Sequence, residues 1–435
     1  MLIAIVPCLN RSLGGQYQYS QTMLDAVRAM LADGRLTDRF VVVAEEADAG
    51  EVRALRERGW EVRPFPPISL TGALAAPVLG LLGEGCHRAV RGAFRRLRAA
   101  LGRSRPAPAG AGAAEAPAVS PRLHAWFGSL GVELALYPMA RDEALLAGIP
   151  FVASIHDLQH RLQPEFPEVS AGSEWAGRER LYAGVARSAE LLLADSEVGR
   201  EDILACYGAA GAEPGRVMAL PFLPGPGLAA EVSAAEVRRV REARGLPERY
   251  LFYPAQFWPH KNHLRIIEAL GRLRREAGLE VCAAFCGSHS GELRERTFAA
   301  VREEAARLGL GGAVRHLGYV PDAEMAALYA GAVALVMPTF FGPTNIPVLE
   351  AWALGCPVIT SDIRGIREQC GDAAVLVDPR SAESIAGGIR RVWTDEALRR
   401  DLAEKGRRRR SAYTFGDYCA RLRGIIEEAK ARVRG

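Results

Sequence analysis

Short apolar runs alternate along the chain with longer segments in which apolar residues recur every three or four positions. The short runs predict buried strands, and the helical spacing between them predicts amphipathic helices. The strand candidates lie at 2–9, 40–44, 132–137, 150–156, 190–195, 216–222, 250–254, 281–286, 314–317, 333–337, 357–360 and 375–377. Strands that alternate with helices in this way predict an α/β fold with doubly wound parallel sheets.

The segment 333–360 shows the alternation most clearly. It contains a predicted strand, a helix and a second strand, at 333–337, 348–354 and 356–360. Pro347 lies where the first turn of the helix is expected, and Gly355 follows its last turn. Proline favours a helix start and glycine favours a left-handed helix end, so the sequence marks both bounds of this helix.

The loop 339–346 joins that strand to that helix and is rich in glycine, proline and small polar residues. Such a loop brings free amide groups of a helix N-terminus to the carboxyl edge of a parallel sheet, where open α/β folds bind phosphates. Glu350, in the first turn of the predicted helix, is expected to face the same crevice. The alternative is an ordinary strand–helix–strand unit with a surface glutamate.

The chain divides into two blocks of this kind, which the proline- and glycine-rich segment 221–227 separates. A length of 435 residues suits two domains. We predict a first Rossmann-like domain at 1–225, a second at 226–412 and a C-terminal helix at 413–435 that crosses back to the first domain.

Residues 69–121 interrupt the first block. Their apolar start is followed by an arginine-rich stretch with helical spacing, and then by a segment rich in alanine, proline and glycine that predicts a flexible insert. A basic amphipathic helix beside an apolar hairpin predicts peripheral contact with anionic lipid headgroups through 70–105. A helix that caps its own domain with solvated arginines is the alternative.

Composition narrows the class of protein. The 55 basic and 51 acidic residues leave a net charge of +4, too small to indicate a nucleic-acid binder. The eight cysteines form no C-x-x-C pair, which favours a reducing compartment. Met1 leads directly into an apolar run, and no run approaches the roughly 20 residues that span a bilayer. We therefore expect a cytoplasmic protein, in peripheral contact with the inner face of the membrane if the arginine-rich helix binds lipid.

Lys261 is the first candidate for a phosphate ligand. It follows the predicted strand 250–254 and directly precedes Asn262, which is expected to cap the next helix. An ammonium group beside a helix dipole suits a diphosphate. A solvated lysine near a helix cap is the alternative.

His156 and Asp157 stand at the carboxyl end of the strand 150–156 and are expected to face the cleft between the blocks. A structural histidine is the alternative to a catalytic one. His160 lies four residues after His156, but no third ligand or supporting motif accompanies the pair, so we expect no metal site.

Two further loops are candidates for ligand contact. Gly14 and Gly15 follow the first strand, where glycines let a ligand approach the backbone, although a plain tight turn explains them equally well. Tyr319 and Val320 lie just before a helix that Asp322 is expected to cap, and they either flank a ring or only pack within their loop.

Taken together, these stretches resemble the retaining family-four glycosyltransferases, whose fold is the two-Rossmann GT-B arrangement. The matching runs are H-D-L-Q-H at 156–160, Y-P-A-Q-F-W-P-H-K-N-H at 253–263, L-G-Y-V-P-D-A-E-M-A-A-L-Y-A at 317–330, F-G-P-T-N-I-P-V-L-E-A-W-A-L-G-C-P-V-I-T-S-D at 341–362 and G-D-A-A-V-L-V-D-P at 371–379. The order of these runs is specific to the family, although it does not specify a substrate.

In that family the nucleotide of a sugar donor binds the second domain. The resemblance therefore implies that Glu350 holds the ribose hydroxyls. It implies that Lys261 and the helix-start amides near Asn345 and Ile346 hold the diphosphate. It also places His156 near the sugar.

The same resemblance gives roles to the two remaining loops. Tyr319 and Val320 would lie near the base. Gly14 and Gly15 would lie near the diphosphate and the acceptor.

The chain departs from the family pattern at two places. The family usually has a first glutamate seven residues before the second, and here no carboxylate fills that place, so its contact to the sugar passes to Thr344, Asn345 or the backbone. The arginine usual six residues before the lysine falls near Gln256, which leaves Lys261 with fewer cationic neighbours. A branch of bacterial polysaccharide transferases resembles this sequence at both places, which favours variation over loss of activity.

The implied function is a retaining hexosyltransferase of surface polysaccharide biosynthesis. It would move a hexose, with mannose favoured, from a nucleotide-diphosphate sugar to a hydroxyl of a glycan or a lipid-linked glycan. GDP-mannose is the favoured sugar donor and a UDP-sugar is the alternative. No cofactor besides this substrate is implied.

The alternatives are three other classes of protein. A catalytically silent nucleotide-sugar sensor or scaffold is motivated by the missing first carboxylate. A nucleotide-sugar epimerase would normally show a different set of carboxylates and histidines. A dinucleotide dehydrogenase would need G-x-G-x-x-G after the first strand, where this chain has S-L-G-G-Q-Y.

Overall fold

The computed structural model describes residues 1–45, 48–66, 118–225 and 232–435. Two separate sheets organise them. The first sheet contains β1 (Leu2–Ile5), β2 (Arg39–Ala44), β3 (Val62–Pro64), β4 (Leu134–Tyr137), β5 (Phe151–Ser154), β6 (Leu191–Ala194) and β7 (Val217–Ala219). The second contains β8 (Leu251–Pro254), β9 (Ala283–Cys286), β10 (Val314–His316), β11 (Ala334–Met337), β12 (Val358–Ser361) and β13 (Val375–Val377).

Every strand pair in both sheets is parallel. The first sheet has the order β3-β2-β1-β4-β5-β6-β7, and the second has the order β10-β9-β8-β11-β12-β13. In each sheet the strand order reverses next to the first strand of the block, which is the arrangement of a doubly wound Rossmann-like sheet. The predicted fold class is therefore confirmed.

Helices connect the strands and cover the faces of the sheets. In chain order the described helices are α1 (Gly15–Ala32), α2 (Ala49–Glu57), α3 (Pro121–Leu130), α4 (Asp142–Leu146), α5 (Gln159–Leu162), α6 (Pro167–Ser170), α7 (Glu174–Ser188), α8 (Glu197–Tyr207), α9 (Ala234–Ala243), α10 (His263–Ala277), α11 (Glu292–Arg307), α12 (Asp322–Gly331), α13 (Ile346–Ala353), α14 (Arg364–Cys370), α15 (Ala382–Thr394), α16 (Glu396–Ser411) and α17 (Phe415–Arg434). None of them is long and apolar enough to cross a bilayer.

The predicted strands are all present, but several are shorter than expected. The first run was predicted as a strand over 2–9, whereas β1 ends at Ile5. Val6, Cys8 and Leu9 beyond it stay buried, so apolar character extends past the paired strand. The short edge strand β3 was not predicted, since only Val62 of its three residues is buried.

The C-terminal helix α17 packs on the first domain. Its buried face (Tyr418, Cys419, Leu422, Ile425, Ile426 and Ala429) joins the core formed by β1 and α1. At its far end the Lys430 ammonium lies 2.6 Å from Asp38, and the same carboxylate accepts from the terminal amino group of Met1 at 2.9 Å. The expected crossing back to the first domain is therefore observed.

The predicted insert lies almost wholly outside the described residues. This includes the arginine-rich stretch 70–105, for which membrane contact was predicted. The described chain resumes at 118, and α3 begins at Pro121 behind a cap in which the Ser120 hydroxyl accepts from the Leu123 amide. The last residues of the predicted insert thus form the capped start of α3, and the prediction of a flexible segment lies outside the described residues. The boundary between 225 and 226 stays a prediction.

Candidate functional site

The two helix N-termini predicted to bind ligand meet across the gap between the domains. A side-chain carbon built on Gly15, the first residue of α1, would lie 3.4 Å from the Cδ1 atom of Ile346, the first residue of α13. The residue before α1, Gly14, has a φ of 54°, a left-handed conformation that glycine adopts without strain. Because each helix N-terminus carries about half a positive charge, their meeting point attracts anions.

The loop before α13 offers several free amides. Among the described residues, the amides of Gly342, Thr344 and Ile346 form no hydrogen bond. The amide of Asn345, which was expected to bind phosphate, instead donates to Gln369 Oε1 at 3.0 Å. The predicted group of free amides is thus present, and it is formed by Gly342, Thr344 and Ile346 instead of Asn345.

The helix that follows this loop starts earlier than predicted. It runs over Ile346–Ala353 instead of 348–354, with Asn345 as its N-cap residue and Pro347 at its second position. Gly355 has the expected left-handed conformation, with a φ of 68°. The earlier start moves Glu350 from the first helical turn to the second.

Glu350 is more enclosed than predicted. Its carboxylate is 5% exposed and accepts from the Tyr329 hydroxyl at 2.7 Å and from the Gln18 amide group at 3.0 Å. Burial raises the pKa of Glu350 against the effect of these two hydrogen bonds. Since Gln18 belongs to α1 of the first domain, Glu350 lies in the interdomain contact and not within the core of its own domain.

Lys261 ends a 3-10 turn, Pro259–Lys261, directly before α10. Asn262 has a φ of 63°, and its side chain does not cap α10 as predicted. Instead its Nδ2 group donates to the carbonyls of Pro338 at 2.8 Å and Pro379 at 2.7 Å. Asn262 therefore ties three loops together and fixes the backbone beside Lys261.

The ammonium group of Lys261 has no carboxylate partner within 4.0 Å among the described residues. The other two lysines of the sequence do: Lys405 lies 2.9 Å from Asp401, and Lys430 lies 2.6 Å from Asp38. Burial lowers the pKa of Lys261 to about 8, and the carboxylates of Asp157 and Glu168 partly oppose this. Both carboxylates belong to the first domain, and Glu168 accepts from the backbone amide of the neighbouring His260 at 2.9 Å, so Lys261 lies beside the interdomain gap.

His156 is held in one orientation and one tautomer. Its Nε2 atom lies 2.8 Å from the carbonyl oxygen of Pro138, and because a carbonyl only accepts, Nε2 carries the proton. The ring packs edge-on against Tyr19, with centroids 4.9 Å apart, and lies tilted against Phe222, with centroids 5.5 Å apart. Burial lowers the pKa of His156, so the ring is neutral at pH 7 and its Nδ1 atom is a hydrogen-bond acceptor.

His160, the other histidine of this stretch, has the contacts of a structural residue. His160 is fully buried, and its Nε2 atom lies 3.2 Å from the Tyr207 hydroxyl and 3.3 Å from Glu179. Within the described ranges no group of three or more histidine, cysteine or acidic side chains is arranged to hold a metal ion.

Tyr319 and Val320, the two candidates for ligand contact in the loop before α12, differ in their exposure. Tyr319 is 77% exposed and offers a free aromatic face, whereas the side chain of Val320 is 5% exposed and packs into the core of the second domain. Val320 therefore contributes only backbone atoms to an open surface. Asp322 is the first residue of α12, and Pro321 takes the cap position where Asp322 was expected.

Thr344 and Gln256 reach across to the first domain. The Thr344 hydroxyl donates to Asp195 Oδ2 at 2.6 Å, and the Gln256 amide group donates to the carbonyl of Ser12 at 2.6 Å. Asp195, at the end of β6, was not among the predicted site residues. Its carboxylate is 2% exposed, and burial raises its pKa to about 7.

A second contact that the sequence did not indicate holds the turn of Lys261. Glu168 of α6 accepts from the backbone amide of His260 at 2.9 Å and lies 2.6 Å from its Nδ1 atom. The His260 ring stacks on Phe341 with centroids 3.8 Å apart. Glu168 and Gln18 stand in patterns that equally suit surface residues. Asp195 directly follows β6, and this strand-end position is a signal that could have found it.

Comparison with known proteins shows what this site resembles. Residues 236–409 match the family model described as Glycosyl transferases group 1. The match covers most of the second domain and less than half of the chain. The matched segment contains β8 to β13, and with them Lys261, Glu350 and the amide loop.

Similar proteins with assigned activities are distant in sequence. The chain is 29% identical over 160 residues to O-antigen chain mannosyltransferase B of Escherichia coli, a match that covers 36% of this chain and 40% of that protein. It is 28% identical over 298 residues to the D-inositol 3-phosphate glycosyltransferase of Salinispora arenicola, covering 65% of this chain and 64% of that protein. The chain thus spans less than two thirds of both relatives.

Solved structures match the whole arrangement of the two domains. HepE of Anabaena in complex with UDP and glucose superposes with a TM-score of 0.67 and 16% identity, over 98% of this chain and 99% of that one. WaaG, a glycosyltransferase involved in lipopolysaccharide biosynthesis, gives a TM-score of 0.61 and 18% identity, over 98% and 99% of the two chains. These likenesses show that the chain has the same GT-B fold as these structures.

Proposed function

We propose that this protein is a retaining glycosyltransferase that moves a hexose from a nucleotide-diphosphate sugar to a hydroxyl of a glycan or a lipid-linked glycan. One observation carries the proposal. Lys261 lies beside the interdomain gap without a carboxylate within 4.0 Å of its ammonium group among the described residues, and the domain that holds it matches the group 1 family model over 236–409.

The electrostatics of the gap suit a diphosphate leaving group. Charge grows on the leaving phosphate as the sugar detaches, and preorganised N–H groups with an ammonium group stabilise that charge. Here the amides of Gly342, Thr344 and Ile346 and the ammonium of Lys261 would provide this stabilisation. Because these groups already supply positive charge, we propose that turnover needs no divalent metal, and activity in excess EDTA tests this.

The remaining site residues would orient the sugar donor. The neutral His156 ring presents Nδ1 as an acceptor for a sugar hydroxyl. Glu350 would accept from the ribose hydroxyls after these displace the Gln18 amide group, which occupies the carboxylate in this structure. The exposed ring of Tyr319 would lie near the base.

The relatives indicate which substrates to test, and they leave two nucleotides as candidates for the sugar donor. Mannose is favoured because the similar proteins include O-antigen chain mannosyltransferase B and an MMP alpha-(1->4)-mannosyltransferase. GDP-mannose is therefore the first sugar donor to test, and the UDP bound to HepE makes UDP-sugars the second. We place the enzyme in the cytoplasm, with its acceptor at the inner face of the membrane in surface polysaccharide biosynthesis.

A binding screen followed by a turnover assay tests the proposal. Thermal shifts are measured with GDP, UDP and their sugars, and transfer or donor hydrolysis is then measured with every sugar nucleotide that binds. We expect Lys261→Ala to lower turnover by a factor of 100 or more, since removing one such group typically costs about 3–4 kcal/mol of barrier. Lys405→Ala, at an exposed ion pair, is the matched control.

The outcomes separate this proposal from its main alternative. A silent sensor would bind a sugar nucleotide without transfer or hydrolysis. Near-normal turnover of Lys261→Ala, or no binding of any nucleotide, would refute the function proposed here.

A further inference from the structure

Arg294 is a cation of the interdomain gap that has no role in the site described above. It lies in the first turn of α11, which follows β9 at the carboxyl edge of the second sheet. β9 is the direct neighbour of β8, and the loop after β8 carries Gln256 and Lys261. The topology therefore brings Arg294 to the same edge as Lys261.

The guanidinium group of Arg294 is held by two contacts. Its Nη1 atom donates to Gln256 Oε1 at 2.7 Å, and the same oxygen accepts from Trp258 Nε1 at 3.0 Å. The guanidinium also lies over the Trp258 ring, 4.7 Å from its centroid. Stacking and a hydrogen bond from one side fix the plane of the guanidinium group.

The same glutamine connects Arg294 to the first domain. While Gln256 Oε1 accepts from Arg294, Gln256 Nε2 donates to the carbonyl of Ser12 at 2.6 Å. Ser12 stands two residues before Gly14, at the N-terminus of α1. Arg294 is thus one side chain away from the place where the helix N-termini of the two domains meet.

The charge of Arg294 is not neutralised within the described part of the chain. No carboxylate lies within 4.0 Å of it there, whereas Arg296, two residues later, pairs with Glu292 at 2.6 Å. Of its five N–H groups, only one on Nη1 is used in a described hydrogen bond. A fixed guanidinium group with unused donors in a cationic gap is suited to binding phosphate oxygens in pairs.

We propose that Arg294 binds a phosphate group of the nucleotide-sugar donor. The proposal rests on the function proposed above and adds a second side-chain cation to its diphosphate site. Gln256 then acts as a positioning residue, because it orients Arg294 and holds the loop of Gly14 at the same time.

The test compares Arg294→Met with the wild type in calorimetric titrations with UDP and GDP. We expect the variant to bind the preferred nucleoside diphosphate about 10- to 100-fold more weakly, the usual effect of losing hydrogen bonds to a charged group. Arg294→Lys keeps the charge without the planar fork and should lose less. Arg296→Met, next to it on the exposed side of α11, should bind like the wild type.

A second titration, with nucleosides, distinguishes binding of the phosphate by Arg294 from contact with the base or a role in folding. Uridine or guanosine is titrated as a competitor of the bound diphosphate, and Arg294→Met should leave its affinity unchanged. Unchanged affinity of Arg294→Met for the diphosphate, or an equal loss for nucleoside and diphosphate, would overturn the assignment of Arg294 alone. If the wild type binds neither UDP nor GDP, the proposed function fails, and this inference fails with it.

Discussion

Replacing Lys261 by methionine should make the ligand-free protein more stable while it removes the response to nucleotide. The two effects arise from the same feature. The ammonium group is partly withdrawn from water without a carboxylate partner within 4.0 Å in the described chain, and this lowers its pKa from 10.5 to about 8.

The size of the stability effect follows from that shift. A depressed lysine pKa means that the folded state holds its proton less tightly than the unfolded chain does. The lysine therefore has no effect on stability above pH 10.5, where it is neutral in both states, and its cost grows as the pH falls from 10.5 to about 8 and is complete below that. At about 1.4 kcal/mol for each pKa unit, the cost at pH 7 is roughly 3 kcal/mol, and residual hydration reduces it to about 1–3 kcal/mol. Methionine has a similar length and avoids this cost.

Two measurements check the reasoning. Reductive ¹³C-methylation labels the amino groups, and an NMR pH titration then gives a pKa for each of Lys261, Lys405 and Lys430. We expect a midpoint near 8 for Lys261 and values above the ordinary range for the other two, since their carboxylate partners raise them. Thermal unfolding at pH 7 should show Lys261→Met melting several degrees above the wild type without ligand.

With a saturating nucleoside diphosphate the order should reverse. The wild type gains stability in proportion to the logarithm of ligand concentration over Kd, about 2.7 kcal/mol at a hundredfold excess. Lys261→Met should gain little, and Lys405→Met should behave like the wild type. An ordinary pKa for Lys261, or a Lys261→Met protein that is less stable than the wild type at pH 7 and still responds fully to nucleotide, would refute the reasoning.

Three further outcomes are expected. Asp195→Asn should be more stable than the wild type at pH 8 but not at pH 4. The pKa of Asp195 is raised to about 7, so the ionised carboxylate costs the folded state roughly 4 kcal/mol at most. Urea unfolding at both pH values measures this difference, and a difference that does not depend on pH would contradict it. Gln18→Ala should tighten nucleotide binding severalfold by freeing Glu350, whereas weaker binding by titration calorimetry would show that Gln18 itself holds the ligand. Lys430→Met should destabilise the first domain by less than the roughly 3–5 kcal/mol that an unpaired buried charge costs, because Asp38 keeps the terminal amino group of Met1 as a partner. Unchanged protection of the α17 amides in hydrogen exchange would argue against this.

Much of the fold could be predicted from local pattern. The run at 250–254 and the spacing that follows it predict β8 and α10, and parallel connectivity then places Lys261 at the carboxyl edge of its sheet. The same argument places His156 after β5 and the amide loop after β11. These positions follow from periodicity and handedness, which act over a few tens of residues.

The details of the helix ends were less predictable. Asn262 looked like a cap by residue type, but its amide group found two carbonyls from distant loops. Val320 looked like a ligand contact, but the core of the second domain buries its side chain. In both cases a tertiary contact overrode the local preference, which is worth only about 1 kcal/mol at a cap.

The sequence alone determined that two parallel α/β sheets form and which residues stand at their carboxyl edges, because hydrophobic periodicity and strand order depend on neighbours along the chain. Only the tertiary structure decided which of those residues meet. Gln18 bonds to Glu350 across 332 positions and Thr344 to Asp195 across 149, while Arg294 reaches Gln256 from another helix. Such pairings depend on how the two domains close on each other, and no local spacing carries that information.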